Sequence, residues 1–226
     1  MKQTIITALF ALVTLTMIAQ EKLIRINSED IAWQKRNQQY IFFNKEKARL
    51  LMPQGVAFGV ECIPSFSPEW SLSYDTVAHT LVYNEAQKSI WYSTYNAMHK
   101  KKTKKRNGRK YSKSVLRRSP KDYQSPSVET YTLSISVGQA QMLKTIWSNA
   151  IGMAEPRVNG MLDGTTWKYF IGEQWAKAHT GSNYNPYSIV KLTEKLVEAV
   201  KAGDASRCDS LIGTEFQRVE IISTEE

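Results

Sequence analysis

The chain has 226 residues, 42% of them hydrophobic and 11% aromatic, and a formal net charge of +9. That composition supports one packed core in a single domain and excludes an intrinsically disordered chain. The charge is concentrated: residues 99–118 hold eleven Lys or Arg and no acid, leaving nineteen basic against twenty-one acidic residues elsewhere, a net of −2. A nucleic-acid-binding domain spreads its basic residues over a folded face, and the near-neutral body of this chain does not read as one.

The N-terminus opens with Lys2 and an apolar run from Ile5 to Ala19, interrupted only by Thr. Fifteen helical residues span about 22 Å, short of a ~30 Å hydrocarbon core. Residues 1–19 therefore read as a secretory signal, with cleavage after Ala19 and Gln20 as the first mature residue. No Cys follows the run, so no lipid anchor is expected. The expected location is the periplasm or the medium, with residues 20–226 as one domain and no span after signal removal.

Ser28 followed by Glu29 and Asp30 has the form of a helix start, and a helix is expected over about 29–37. Tyr40–Phe43 reads as a short strand or a core-facing patch. Trp70, Leu72 and Tyr74 alternate with polar residues, which predicts a half-buried strand. His79–Tyr83 and the aromatic, β-branched run Ser89–Tyr95 are read as the next two strands, joined by short links into an antiparallel meander. Glu129–Ser136 is the cleanest strand: Tyr131, Leu133, Ile135 and Val137 against Thr130, Thr132, Ser134 and Ser136. Ser136 and Gln139 have capping-box spacing, and Ala140, Leu143, Ile146, Trp147, Ala150 and Ile151 mark the core stripe of a helix over about 137–153. Leu162–Ile171 reads as an Asp163-Gly164 turn and then a strand, and 178–188 as a loop. Ser188 caps a second helix with its stripe at Ile189, Leu192, Leu196, Ala199 and Val200, ended by Gly203; a short third helix carries Cys208, Leu211 and Ile212. The sum is an α+β fold: an antiparallel sheet of about five strands with two or three helices packed on one face.

The basic run falls between two of these strands. Its cations are Lys100, Lys101, Lys102, Lys104, Lys105, Arg106, Arg109, Lys110, Lys113, Arg117 and Arg118. Like charge repels itself, and connections of this length are functional or disordered, so a long basic hairpin loop without regular structure is expected over about 98–126.

No phosphate loop, H-E-x-x-H motif, nucleophile elbow or Cys/His cluster is present, so no cofactor or metal is expected and no catalytic residue is assigned. Cys62 and Cys208 read either as a disulfide, in keeping with export, or as two separate buried thiols. His79, His99 and His179 are isolated in sequence. Glu69, Asp75, Asp163 and Glu173 are the carboxylates that a hydrolase would need to gather, with an Asx-turn as the plainer role of Asp163. Trp91, Tyr92, Tyr95 and Tyr131 flank the cations and offer faces for stacking bases or sugars, or simply pack the strands. Trp175 and the loop 180–188 could line a groove.

The strings PSFSPEWSLSYD (64–75), HTLVY (79–83), KSIWYSTY (88–95) and LDGTTW (162–167), with the C-terminal KLVEAVKAGD, resemble uncharacterised exported proteins of Bacteroidetes over some 140 residues. The resemblance implies an exported location and no known activity, and the Lys/Arg run is not part of its pattern. Three functions follow in order of expectation. The first is a non-enzymatic binding module whose basic loop meets anionic lipid, acidic polysaccharide or extracellular nucleic acid. The second is a structural envelope protein with an idle insertion, and the third a carboxylate hydrolase.

Overall fold

The computed structural model describes residues 23–25, 28–106, 109–117, 119–155, 164–180 and 188–224. The expected leader, Arg118, Asp163 and most of the loop expected over 178–188 lie outside them. The elements in chain order are β1 (Ile24–Arg25), α1 (Ser28–Arg36), α2 (Gln38–Leu51), β2 (Val56–Pro64), β3 (Trp70–Asp75), β4 (Thr80–Ala86), α3 (Ile90–Met98), β5 (His99–Arg106), β6 (Arg109–Leu116), β7 (Val128–Ser134), α4 (Val137–Gly152), β8 (Thr165–Ile171), β9 (Gln174–Thr180), α5 (Ser188–Ala202) and α6 (Ala205–Thr224).

The α+β class holds, with a larger sheet than expected. Seven antiparallel strands lie in the order β1-β9-β8-β2-β3-β4-β7, and β5 and β6 form a separate two-stranded ribbon. The missed strands have a physical reason. β2 lies between β8 and β3 and is buried on both faces along its middle, so nothing demands a wet–dry alternation of it. β9 carries the small Ala176 and Ala178 at its core positions, which mute the apolar signal.

One face of the sheet presents Phe58, Val60, Leu72, Leu81, Tyr83, Leu133, Trp167 and Tyr169 to α4, α5 and α6. Trp147 of α4 is fully buried, edge-on to Phe58 at 5.3 Å and to Tyr169 at 5.9 Å. The Tyr169 hydroxyl is satisfied by Thr193 Oγ1 of α5 at 3.1 Å, as burial of a phenol requires. The capping box of Ser136 and Gln139 is formed in both directions, and the stripes expected for α4 and α5 face the core. Gly203, at φ +66°, turns the chain into α6, which runs for 20 residues rather than the short helix expected.

Helices cover both faces, not one. α2 and α3 lie over the second face, where Phe43, Leu51, Ala86 and Ile90 form a smaller core. This face looks wet in the sequence because its residues are polar, yet Glu61, Ser71 and Asn84 are buried and paired. Ser71 Oγ (2.6 Å) and Asn84 Nδ2 (2.9 Å) both donate to the Leu51 carbonyl at the end of α2, satisfying an acceptor that helix geometry leaves open. Tyr40–Phe43 accordingly belongs to α2, not to a strand.

Ser89–Tyr95 is also corrected from strand to helix. β-propensity reflects packing more than backbone preference, and here local capping decides. Ser89 Oγ accepts from the Tyr92 N–H at 3.2 Å. The fully buried Glu69 carboxylate accepts from the N–H groups of Ile90 (2.6 Å) and Trp91 (2.9 Å) and from Ser89 Oγ (3.0 Å). His79 stands in the turn before β4, at φ +54°.

Cys62 and Cys208 are free thiols, both buried in the main core. The disulfide allowed by the export reading is not formed; each sulfur packs as a small hydrophobe. Burial pushes both thiols up, Cys208 to about 11. No helix among the described residues is long and apolar enough to cross a membrane.

Candidate functional site: a cationic ribbon on a helical base

Most of the segment expected to be an irregular loop is paired, as β5 and β6. His99 faces Leu116, Lys100 Val115, Lys101 Ser114, Lys102 Lys113, Thr103 Ser112, Lys104 Tyr111, Lys105 Lys110, and Arg106 Arg109. The correction was available in the sequence. The two residues between Arg106 and Arg109 are Asn107 and Gly108, the favoured pair for a two-residue hairpin connection, and Tyr111, Val115, Thr103 and the Ser residues suit strands.

Eight residues per strand make a ribbon about 26 Å long. It holds nine cations on its two strands and no acid. Lys100, Lys101, Lys102, Lys110 and Lys113 are exposed. Three cross-strand pairs put cation opposite cation, Lys102 with Lys113, Lys105 with Lys110 and Arg106 with Arg109. Directly opposed like charges destabilise a hairpin, and an isolated two-stranded ribbon is marginal in water. Its stability therefore has to come from its root or from a counter-charge.

The root is well held. β5 continues from α3 without a break, and His99 stacks on Tyr95 with ring centroids 3.9 Å apart and donates from Nδ1 to the Tyr95 carbonyl at 3.0 Å. On the return side, the Arg117 N–H donates to the Met98 carbonyl (2.6 Å) and the Lys121 N–H to Ala97 (3.1 Å). Arg49 of α2 ties the following segment down through Ser125 Oγ (2.6 Å) and Glu46 (2.7 Å), and Phe42 meets Tyr123 edge-on at 5.0 Å. Arg117, expected among the anion contacts, is half-buried in this root with its Nε lacking a partner.

An aromatic strip leads to the root. Trp33 contacts Tyr40 (4.8 Å), Tyr40 contacts Trp91 (5.0 Å), Trp91 contacts Tyr95 (6.4 Å), and Tyr95 carries His99. Trp33 is 52% exposed and Tyr92 48%. Of the aromatic residues expected to flank the cations, Trp91, Tyr92 and Tyr95 do so on α3. Tyr131 does not: it lies on the opposite sheet face, near Tyr83 and beneath Lys201. Trp175 packs on Phe170 at 5.0 Å at the far side of the sheet.

Among the described residues, Glu69, Asp75 and Glu173 do not converge; Asp163 lies outside them. Glu69 caps α3, and Asp75 Oδ1 accepts from the Val77 and Ala78 N–H groups at 2.8 and 3.0 Å. The two sit at opposite ends of β3, about 20 Å apart along a strand of that length. Glu173 is exposed in the β8–β9 turn. An open groove of about 440 Å3 between α4 and α6 is lined by Gln141, Lys144, Thr145, Ser148, Asn149, Gly152 and Val219 and by none of these acids. His79 bonds the Tyr74 hydroxyl (2.9 Å) and His179 bonds Thr166 (3.1 Å). Among the described residues no three His, Cys, Asp or Glu side chains are placed to hold a metal.

A second charged group was not anticipated. Glu61 of β2, Lys168 of β8 and Lys177 of β9 stand in one register row on the second sheet face. The buried Lys47 of α2 reaches into it and ion-pairs with Glu61. Burial lowers the Lys168 ammonium to about 8, helped by Lys47 and Lys177 and opposed by Glu61. The available signal was a Lys in the middle of TTWKYFI, on a strand that is apolar at every other inner position.

Fold and site together define an α+β protein with a near-neutral body and a projecting cationic β-ribbon. No family model matches the chain, and no curated protein or solved structure matches it either.

Proposed function

We propose that the protein acts outside the cytoplasm as a non-enzymatic binding module, and that the β5–β6 ribbon is its contact with an anionic partner. The observation that carries this reading is the ribbon itself: nine cations on two paired strands, free of any acid, on a near-neutral body. Such an element is electrostatically strained alone and relieved by a polyanion, because a ligand that binds only the ordered form stabilises it. The apolar leader and the resemblance to exported proteins support the location.

The test compares protein starting at Gln20 with a variant in which Lys101–Ser114 is replaced by Asn-Gly. That variant keeps the Lys100–Val115 pair and the root bonds to Met98 and Ala97, and removes eight of the eleven cations. Both are titrated against anionic liposomes, lipopolysaccharide and DNA at 50 and 200 mM salt. The intact protein is expected to bind at least one of them, with affinity falling ~100-fold or more between the two salts. The shortened protein should lose binding at an unchanged melting temperature. Equal behaviour of the two would leave the ribbon idle and favour the structural reading.

A further inference from the structure

Resting on the reading of the ribbon as the contact element, we propose that its partner is double-stranded DNA, entered through the major groove. The register of β5 and β6 sorts their residues onto two faces. One face carries six cations, Lys100, Lys102, Lys104, Arg106, Arg109 and Lys113. The other carries Lys101, Lys105 and Lys110 together with the hydroxyl residues Thr103, Ser112 and Ser114. Lys100, Lys102 and Lys113 on the first face are exposed, and so are Lys101, Thr103, Lys110, Ser112 and Ser114 on the second. Beyond its root the ribbon is therefore open on both sides, and both sides are cationic.

Each class of polyanion presents its charge differently. A lipid surface is flat and meets one face, which would leave at least three of the nine cations turned to water. The ribbon's aliphatic residues, Val115 and Leu116, also sit at its root and not at a tip that could insert. An acidic polysaccharide is a single thread of charge and again needs one face. Single-stranded nucleic acid is held by aromatic platforms beside the cations, and the two strands carry one Phe, Tyr or Trp between them, Tyr111. A duplex groove has a floor and two charged rims and engages both faces at once. The B-form major groove is about 12 Å wide and admits a two-stranded ribbon; the A-form groove of RNA is too narrow and deep. The hydroxyl face fits the floor, where Ser and Thr bond base edges and Lys meets guanine O6 and N7. The six-cation face then lies at the mouth, level with the phosphate rims. A ribbon about 26 Å long covers about eight base pairs at ~3.4 Å each. Contact is made by the ribbon alone, so no basic face is required of the near-neutral body.

The experiment measures binding of the protein from Gln20 by fluorescence anisotropy at about 100 mM salt. The probes are a DNA duplex of about 20 base pairs, long enough for the ribbon's footprint, and the RNA duplex of the same sequence. A third probe is the same DNA with glucosylated 5-hydroxymethylcytosine, whose sugars fill the major groove without altering the charge. Heparin and anionic liposomes are titrated alongside. If charge alone decided, the three duplexes would bind alike. The plain DNA duplex is expected to bind at least ~10-fold tighter than either of the other two. Equal binding of the RNA duplex or of the glucosylated DNA overturns the groove proposal and leaves the ribbon as a contact by charge. Binding of heparin or liposomes without binding of DNA does the same. Failure to bind any of these polyanions overturns the ribbon reading itself, and the groove proposal with it.

Discussion

Glu69 offers the sharpest test of how the ribbon is held. Its carboxylate is fully buried and takes three hydrogen bonds at the start of α3, from the Ile90 and Trp91 N–H groups and Ser89 Oγ. Hydrogen bonds to a charged group contribute about 1.5–3 kcal/mol each, and buried N–H groups left unpaired cost about 1–3 kcal/mol. The negative charge also faces the positive end of the helix dipole. The contributions overlap, and water entering the vacated space recovers some of the loss. Glu69→Ala should then cost about 4 kcal/mol. Glu69→Gln keeps the shape but offers one acceptor oxygen and turns an NH2 toward an N–H, for about 2 kcal/mol. For a chain of this size each kcal/mol shifts the melting temperature by about 2–4 °C, so the Ala variant should melt some 8–16 °C lower. Hydrogen exchange supplies the local readout: the Ile90 and Trp91 amides should lose protection first. Because α3 runs directly into β5, the ribbon's anion affinity should weaken in the same variants. If both variants stay within 0.5 kcal/mol of the parent, or if Ile90 and Trp91 exchange as before, the capping account of α3 and its link to the ribbon fails.

Two further outcomes follow from the structure. Lys168→Met should stabilise the protein at pH 7. With its folded value near 8 against an ordinary 10.5, Lys168 is charged in both states below pH 8, where the cost of burying it is fully present. The unfolded state holds more protons between pH 8 and 10.5, so the parent regains stability as pH rises through that window. The advantage of Met should be about 1–3 kcal/mol at pH 7 and vanish by about pH 10.5; denaturant titrations of both proteins across the range check it, and a destabilised Met variant at pH 7 contradicts it. Gly164→Ala should cost about 3–4 kcal/mol. At φ +141° an added Cβ would lie 2.1 Å from the Thr180 carbonyl oxygen, and Gly164 also exchanges hydrogen bonds with Ser65. A melting temperature unchanged by this substitution would show that the turn relaxes freely.

The elements legible in the sequence are those whose residue pattern has one clear period. α4 and α5 each bury a single stripe and show a clear helical period, and β3 and β7 alternate apolar with polar residues, although β3 is buried on both faces. What was hidden had two-sided burial or long-range support. β2 needs β8 and β3 to be a strand. α3 needs Glu69, twenty-one residues before Ile90, to be a helix. The second helical layer was invisible because its sheet face carries Glu61, Ser71 and Asn84, residues that signal water until their partners on α2 are known. The site divides the same way. Its cations could be listed residue by residue, but their pairing depended on a short Asn-Gly signal outweighed by charge.

Charge repulsion argues against a ribbon and still does not abolish it, and the reason lies in where the repulsion is placed. The like-charge pairs begin at Lys102–Lys113 and recur at Lys105–Lys110 and Arg106–Arg109, toward the tip. The root instead pairs His99 with Leu116 and Lys100 with Val115, and is fixed by backbone bonds to Ala97 and Met98 and by the Tyr95–His99 stack. Cohesion and repulsion are thus segregated along the ribbon's length. An anion that neutralises the distal pairs would remove the unfavourable part without disturbing the anchored part. A charge cassette placed at random has no reason to keep its like-charge pairs away from its own root. Lys-to-Gln changes at Lys102 and Lys113 should consequently order the free ribbon while weakening its hold on an anionic partner, two effects of opposite sign that an idle insertion would not couple.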